Sequence, residues 1–313
     1  VIDPSQGINR VMDVGIRDGR IEELGEALEA GLGCVERDLR GQYLSPGLVD
    51  LHGHWFEGSG WGIDPGICLN HGVTTAVDAG TSGFVNFEEF RRGRIEGAPL
   101  EVLAFLNIAA AGIPTAFIGE LEDLRYARPK ETAGMLEAHP ETLVGVKVRI
   151  GAMSASHGLE ALGMALEAAG SRPLMVHFSR TAPTQEVLKK LRPGDILTHC
   201  FQGRGDGLVV EGALLAEAVE ARRRGVLFDV GHGCGSFRWE TAKKAFEHHF
   251  YPDTISTDLH RFSVERWAID MPTTMSKFLH LGMSVEDVVL KSTWAPARAI
   301  GREREIGTLR AGT

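Results

Sequence analysis

The chain has 313 residues, 43% of them hydrophobic, with a formal net charge of -9 and a pI near 5.8. That is enough apolar material for one large α/β domain with a small appendage, with no apolar run near the roughly 18 residues of a membrane span and none of the basic excess of a nucleic-acid binder. Cys34, Cys68, Cys200 and Cys234 are scattered without a C-x-x-C pair, so reduced thiols in a cytoplasmic protein are expected rather than a disulfide framework.

In chain order, the sequence opens on Val1 and no signal peptide is visible. Residues 1–45 read as short strands and turns, with Asp18-Gly19 as the turn of a hairpin. Such a hairpin buries little by itself, so these residues are expected to form the N-terminal part of a small β-domain. From residue 46 short apolar runs alternate with helical stretches, the rhythm of parallel strands joined by crossover helices. The strand candidates are Leu48–His54, Thr74–Asp78, Glu101–Ile108, Leu143–Ile150, Pro173–His177, Asp195–His199, Gly225–Val230 and Thr254–Asp258. Helical stretches between them include Leu159–Ala169, Thr184–Leu191 and Gly212–Arg224. Eight βα units over residues 46–300 predict a (β/α)8 TIM barrel. An open doubly wound sheet is the alternative, but no G-x-G-x-x-G follows the first strand. The glycine-rich Gly231-His232-Gly233-Cys234-Gly235 follows the seventh strand, lacks a phosphate-loop lysine and reads as a flexible active-site loop. Two further helices are expected at Pro272–Leu281 and Ser284–Ala299. Residues 301–313 then read as the start of a C-terminal return into the small β-domain.

In a TIM barrel the chemistry sits at the carboxyl ends of the strands. The first strand ends in His52 and His54, which share a face because strand side chains alternate. The fourth carries Lys147 inside an apolar run, the fifth ends in His177, the sixth in His199 and the eighth in Asp258. Four histidines and an aspartate at strand ends of one barrel make a metal site. His71, His139, His157, His248, His249 and His280 fall in or beside helical stretches and receive no role. A buried unpaired lysine loses its charge. The neutral amine of Lys147 could take up carbon dioxide as a carbamate, a carboxylate-like bridge for two cations.

These motifs carry a resemblance: Gly-Leu-Val-Asp-Leu-His-Gly-His at 47–54, Val-Lys-Val-Arg at 146–149, Val-His-Phe at 176–178, Thr-His-Cys-Phe at 198–201, Ser-Thr-Asp-Leu-His at 256–260 and the stretch 270–279. The chain resembles the amidohydrolase superfamily of metal-dependent hydrolases, near the dihydroorotases and the deacetylase-type branch. The resemblance implies two divalent metal ions, usually zinc. His52, His54 and Asp258 would hold one, and His177 and His199 the other. Carboxylated Lys147 would bridge them together with a hydroxide. Asp258 would act as general base and then acid. The implied activity is cleavage of an amide or ester bond in a small, carboxylate-bearing metabolite. A dihydroorotase- or hydantoinase-like cyclic-amide hydrolase is the alternative, and a non-catalytic oligomeric scaffold is disfavoured because all six ligands are present. Arg149, His232, His260 and Arg261 are the substrate-binding candidates, and Trp55 and Phe56 could wall the pocket. The expected partner is a small-molecule substrate, with no nucleic acid and no membrane; a homo-oligomer stays open.

Overall fold

In the computed structural model, residues 1–313 are described except for 116, 180–181 and 204–206. Seven apolar runs build parallel strands: β1 (Leu48–Gly53), β2 (Val73–Gly83), β3 (Glu101–Asn107), β4 (Leu143–Ile150), β5 (Leu174–Phe178), β6 (Ile196–Thr198) and β7 (Leu227–Phe228). They lie side by side in chain order in one curled sheet, β1 at one edge and β7 at the other. Nearly every strand residue is buried, which is why the runs are continuously apolar rather than alternating. Val146, Val148 and Ile150 pack outward with Ala161, Leu162 and Ala165 of the helix Gly158–Ala169. Leu51, Val77, Leu103, Phe105, Val144, Met175 and Ile196 form a second, separate cluster.

The eighth expected strand differs. Among the described residues Thr254–Asp258 forms no strand. It is held by single bridges, Asp229↔Thr254 and Gly53↔Leu259, that tie it to the ends of both edge strands. His54 N donates to Leu259 O (2.9 Å) and Asp258 N to His52 O (2.6 Å) on one side, and Val230 N to Thr254 O (3.1 Å) on the other. A regular ladder is denied here because Asp258 has φ +49°, outside any strand conformation. Side chains supply the order instead: Thr257 Oγ1 donates to the buried Asp50 at 2.5 Å and Ser256 Oγ to the buried Asp229 at 2.8 Å.

Two helices are shorter than their sequence patterns. The one expected over Gly212–Arg224 starts at Ala216, because Val209–Val210 pairs antiparallel with Ala213–Leu214 across a left-handed Glu211-Gly212 turn. Ser284–Ala299 divides into Val285–Ser292 and Trp294–Ala299. Pro296 falls in the first turn of the second, where a missing N–H costs nothing. No described helix is long and apolar enough to cross a membrane.

At the chain start, Asp13–Arg17 and Arg20–Gly25 pair as the expected hairpin, with both turn residues left-handed, Asp18 at φ 52° and Gly19 at φ 76°. Ile21 exchanges backbone hydrogen bonds with Gly312 and Thr313 (2.8 and 3.0 Å). The buried Asp3 carboxylate accepts from Ser5, Gln6, Thr308 and the Leu309 N–H. The two ends therefore meet, although residues 306–313 form no strand.

Candidate metal centre and active-site cavity

His52 and His54 leave the end of β1 on one face and meet Asp258. His52 Nε2 is 3.5 Å and His54 Nε2 3.2 Å from Asp258 Oδ1. Lys147 reaches the same place from β4, its Nζ 3.3 Å from His52 Nε2. Two glycines make room for it. Across Gly145 the alternation of β4 switches, so that Val144 and Lys147 leave the outward cluster that holds Val146 and Val148. Gly80, at φ +78°, faces the lysine stem, where a Cβ would come within 2.5 Å of Lys147 Cβ. His177 and His199, at the ends of β5 and β6, lie against each other, His199 Nε2 to His177 Nδ1 at 2.9 Å.

Among the described residues, ligand atoms of His52, His199 and Asp258 lie within 4.8 Å of one another. This trio draws on both of the ligand sets expected from the resemblance, His52 and Asp258 from one and His199 from the other. His199 and Asp258 both have positive φ, 65° and 49°, a strain of about 1–3 kcal/mol each that persists only where the surroundings enforce it. Backing glycines leave room for both side chains here. A Cβ on Gly231 would meet His199 Nδ1 at 2.7 Å, and one on Gly233 would meet Asp258 Oδ2 at 2.3 Å.

The donor chemistry suits a cation. His199 Nδ1 must donate to the Gly231 carbonyl at 2.6 Å, which leaves Nε2 as an acceptor. Burial pushes His54 down to about 3 and His199 to about 4, and takes His52 and His177 well below the usual histidine range, so the rings are neutral. His177 Nδ1 then donates to His199 Nε2 at 2.9 Å, so among the described contacts this ring N–H and the Lys147 amine are the donors facing the ring lone pairs and the Asp258 carboxylate. Burial also pushes Lys147 down to about 7, against the opposing pull of Asp258. Such a set of acceptors is what a divalent metal requires.

Beside this cluster opens a cavity of about 390 Å³, whose wall includes His54, Lys147, His177 and Asp258 together with Trp61, Arg149, Gln202, Ser236 and His260.

The profile of the Amidohydrolase family matches residues 43–313. Curated relatives include a deacetylase of Brucella anthropi, 37% identical over 91% of this chain and 73% of that protein. A deacetylase of Agrobacterium fabrum is 37% identical over 92% and 73%. The chain belongs to the amidohydrolase family. Amidohydrolases of this kind are hydrolases of C–N bonds, and the chain is an enzyme of that class. Among solved structures, a dihydroorotase is 35% identical with a TM-score of 0.89, over 98% of this chain and 84% of that one. An adenine deaminase is 30% identical with a TM-score of 0.91, over 97% and 84%.

In this amidohydrolase the four substrate-binding candidates separate. Arg149 and His260 are buried and line the cavity. His232 and Arg261 are not on its wall. The His232 ring is stacked on Phe237 (4.8 Å) and takes Lys277 Nζ at 2.7 Å, and Arg261 is exposed, bonded to the Gly60 carbonyl and lying over Phe262. Trp55 and Phe56 also turn away. Trp55 folds back over Gly53, whose missing Cβ leaves space for the ring, and Phe56 packs on Phe90 at 5.3 Å.

The aromatic wall is Trp61, 4.7 Å from the His260 ring with Arg149 over it at 5.8 Å. Sequence reasoning missed Trp61 because it lies in a loop with no periodicity. It also missed Glu120, the buried partner of Arg149 at 3.5 Å. Burial raises the Glu120 carboxyl, while Arg149 pulls it down.

Proposed function

We propose that the chain is a binuclear metal-dependent hydrolase that cleaves an amide or ester bond, in the manner of a deacetylase, in a small carboxylate-bearing molecule. The observation that carries this is the convergence of acceptor atoms from His52, His199 and Asp258 within 4.8 Å, beside a neutralisable lysine and an open cavity. His52, His54, His177, His199, Asp258 and Lys147, the last carboxylated, are the residues proposed to hold the metals. Two divalent cations there would draw the pKa of bound water toward about 7 and polarise the scissile carbonyl. Asp258 takes the proton from the attacking water and returns it to the leaving nitrogen or oxygen. Arg149 and Trp61 orient the substrate, a guanidinium matching a carboxylate bidentately over an aromatic wall. His260, neutral because burial pushes it down to about 4, offers a hydrogen bond without adding charge.

The deacetylase relatives at 37% identity support the acyl-group reading. The cyclic-amide alternative rests on the dihydroorotase structure. We further propose that residues 46–300 act as a (β/α)8 unit with 254–259 as its eighth stave, and that the contact of Ile21 with Gly312 and Thr313 belongs to a small β-domain built from the chain ends. A small molecule is the proposed partner, with no nucleic acid or membrane involved. The test is to measure metal content and screen matched N-acetyl acids, O-acetyl acids and cyclic amides. About two ions per chain with turnover of the acetyl acids supports the reading. Turnover of cyclic amides alone selects the alternative, and a metal-free, inactive protein overturns both.

A further inference from the structure

Asp229 is a fully buried carboxylate to which the proposed chemistry gives no task. It follows β7, and no lysine or arginine touches it among the described contacts. Its hydrogen-bond partners are three hydroxyls, and the His52 ring lies beside it, Nδ1 3.6 Å from Oδ2. Thr254 Oγ1 donates to Oδ1 at 2.7 Å, Ser256 Oγ lies 2.8 Å from each oxygen, and Thr198 Oγ1 donates to Oδ2 at 2.7 Å. Thr198 in turn lies 2.8 Å from Nδ1 of His52.

A hydroxyl has one proton. Thr198 spends its own on Asp229, so toward His52 its oxygen can only accept. The hydrogen of the neutral His52 ring then sits on Nδ1, and Nε2 presents a lone pair to Lys147 Nζ and Asp258 Oδ1 at 3.3 and 3.5 Å. The reverse arrangement needs a protonated Asp229, because Thr198 can donate to His52 only by giving up its bond to that carboxylate. His54 stands in a parallel arrangement: its Nδ1 meets Thr81 Oγ1 at 2.7 Å, and the Thr81 side chain hydrogen-bonds the buried Asp78, which also accepts the backbone N–H groups of Trp55 and Thr81.

We propose that Asp229, acting through Thr198, is a positioning residue that locks His52 in the Nδ1–H tautomer and so sets Nε2 as a metal ligand. The proposal rests on the metal-site reading above. A histidine ligand whose other nitrogen is held by a hydrogen-bonded carboxylate network is both oriented and made more basic, and loss of such a partner typically costs about 10–100-fold in metal affinity.

The test uses the full chain and three variants, Thr198→Val, Thr198→Ser and Asp229→Asn. Imidazole ¹⁵N NMR of the metal-free protein, with His52→Gln to assign the ring, reads the tautomer directly. Zinc competition with a chromophoric chelator reads affinity. Expected are an Nδ1–H ring in the parent protein, an affinity for zinc lower by about 10–100-fold in Thr198→Val, and near-parental affinity in Thr198→Ser. Asp229→Asn should follow Thr198→Val; if it does not fold, Thr198→Val against Thr198→Ser decides. An Nε2–H ring in the parent, or unchanged affinity in Thr198→Val, overturns the relay. If the parent binds no zinc, the functional reading falls and the tautomer alone decides the relay.

Discussion

Lys147 Nζ lies 3.3 Å from His52 Nε2 and 3.4 Å from Met175 Sδ, so a fully buried lysine has a ring nitrogen and a thioether as its partners instead of a carboxylate. An ammonium is poorly matched to such company, and a carboxylated amine between cations is well matched. Lys147→Ala should therefore lower bound metal from about two ions per chain to less than one, and turnover by at least about 10²-fold. Elemental analysis and initial rates check both. Short carboxylic acids added to the variant should restore part of each; two tightly held ions with normal turnover would rule out the bridge.

Asp258 touches both histidines of the His-x-His pair through one oxygen. Asp258→Asn keeps the shape and a weak ligand oxygen but cannot accept a proton at neutral pH. Turnover should fall by about 10²–10⁴-fold, with an unchanged circular dichroism spectrum. A fall of less than tenfold removes Asp258 from proton transfer.

Gly233 is the cover behind that carboxylate. A methyl group there would press on Asp258 Oδ2, at a backbone φ of +51° that costs an L-residue energy. Gly233→Ala should cut kcat by tenfold or more, in the order-of-magnitude sense of a misplaced catalytic group. Gly97→Ala, where nothing lies within 4 Å, should leave kcat unchanged. Equal rates for the two variants would show that the loop does not position Asp258.

Arg149 reaches the cavity wall with its Nε unpartnered and Glu120 behind it. Against an acetyl acid and its neutral methyl ester, Arg149→Met should reduce kcat/KM for the acid by about 10–100-fold, the equivalent of one charge-assisted hydrogen bond of about 1.5–3 kcal/mol. The ester should change little. An equal loss for both substrates would mean that Arg149 has a packing role.

Asp3 supplies a pH-dependent contribution to stability. Burial raises its carboxyl, but hydrogen bonds from Ser5, the Leu309 N–H, Gln6 and Thr308 more than offset this and leave it below the usual aspartate value. A carboxylate held lower in the folded state stabilises fully above its unfolded pKa of about 3.9 and loses that contribution as pH falls through the folded value. Asp3→Asn should cost about 1–3 kcal/mol at pH 7 and progressively less below pH 4. Urea unfolding of both proteins at pH 7 and pH 3 measures it; a difference that grows on acidification reverses the assignment.

Which parts were legible in the sequence follows from the range of each signal. Side chains alternate over two residues, so His52 and His54 declare a shared face from their spacing alone. Lys147 was legible as one charge within an apolar run, and His177, His199 and Asp258 as the polar ends of such runs. That parity argument stops where the strand stops. His232 and Arg261 lie beyond the pleat, and their directions are set by Phe237, Lys277 and Gly60, contacts that no local pattern encodes.

The sequence by itself determined the parallel sheet, its crossover helices and the six candidate ligands, because apolar periodicity and strand-end residues are local properties. Only the tertiary structure decided which ligands share a point, since His52, His199 and Asp258 come from three places in the chain. It alone decided that Thr254–Asp258 is a bridged segment, for Asp50 and Asp229 claim its hydroxyls and Asp258 takes a left-handed φ of 49°. The same holds for the cavity wall: Trp61 and Glu120 reach Arg149 through loops, and the direction of a loop side chain depends on the surfaces it lands on, which exist only after the strands have closed around the site.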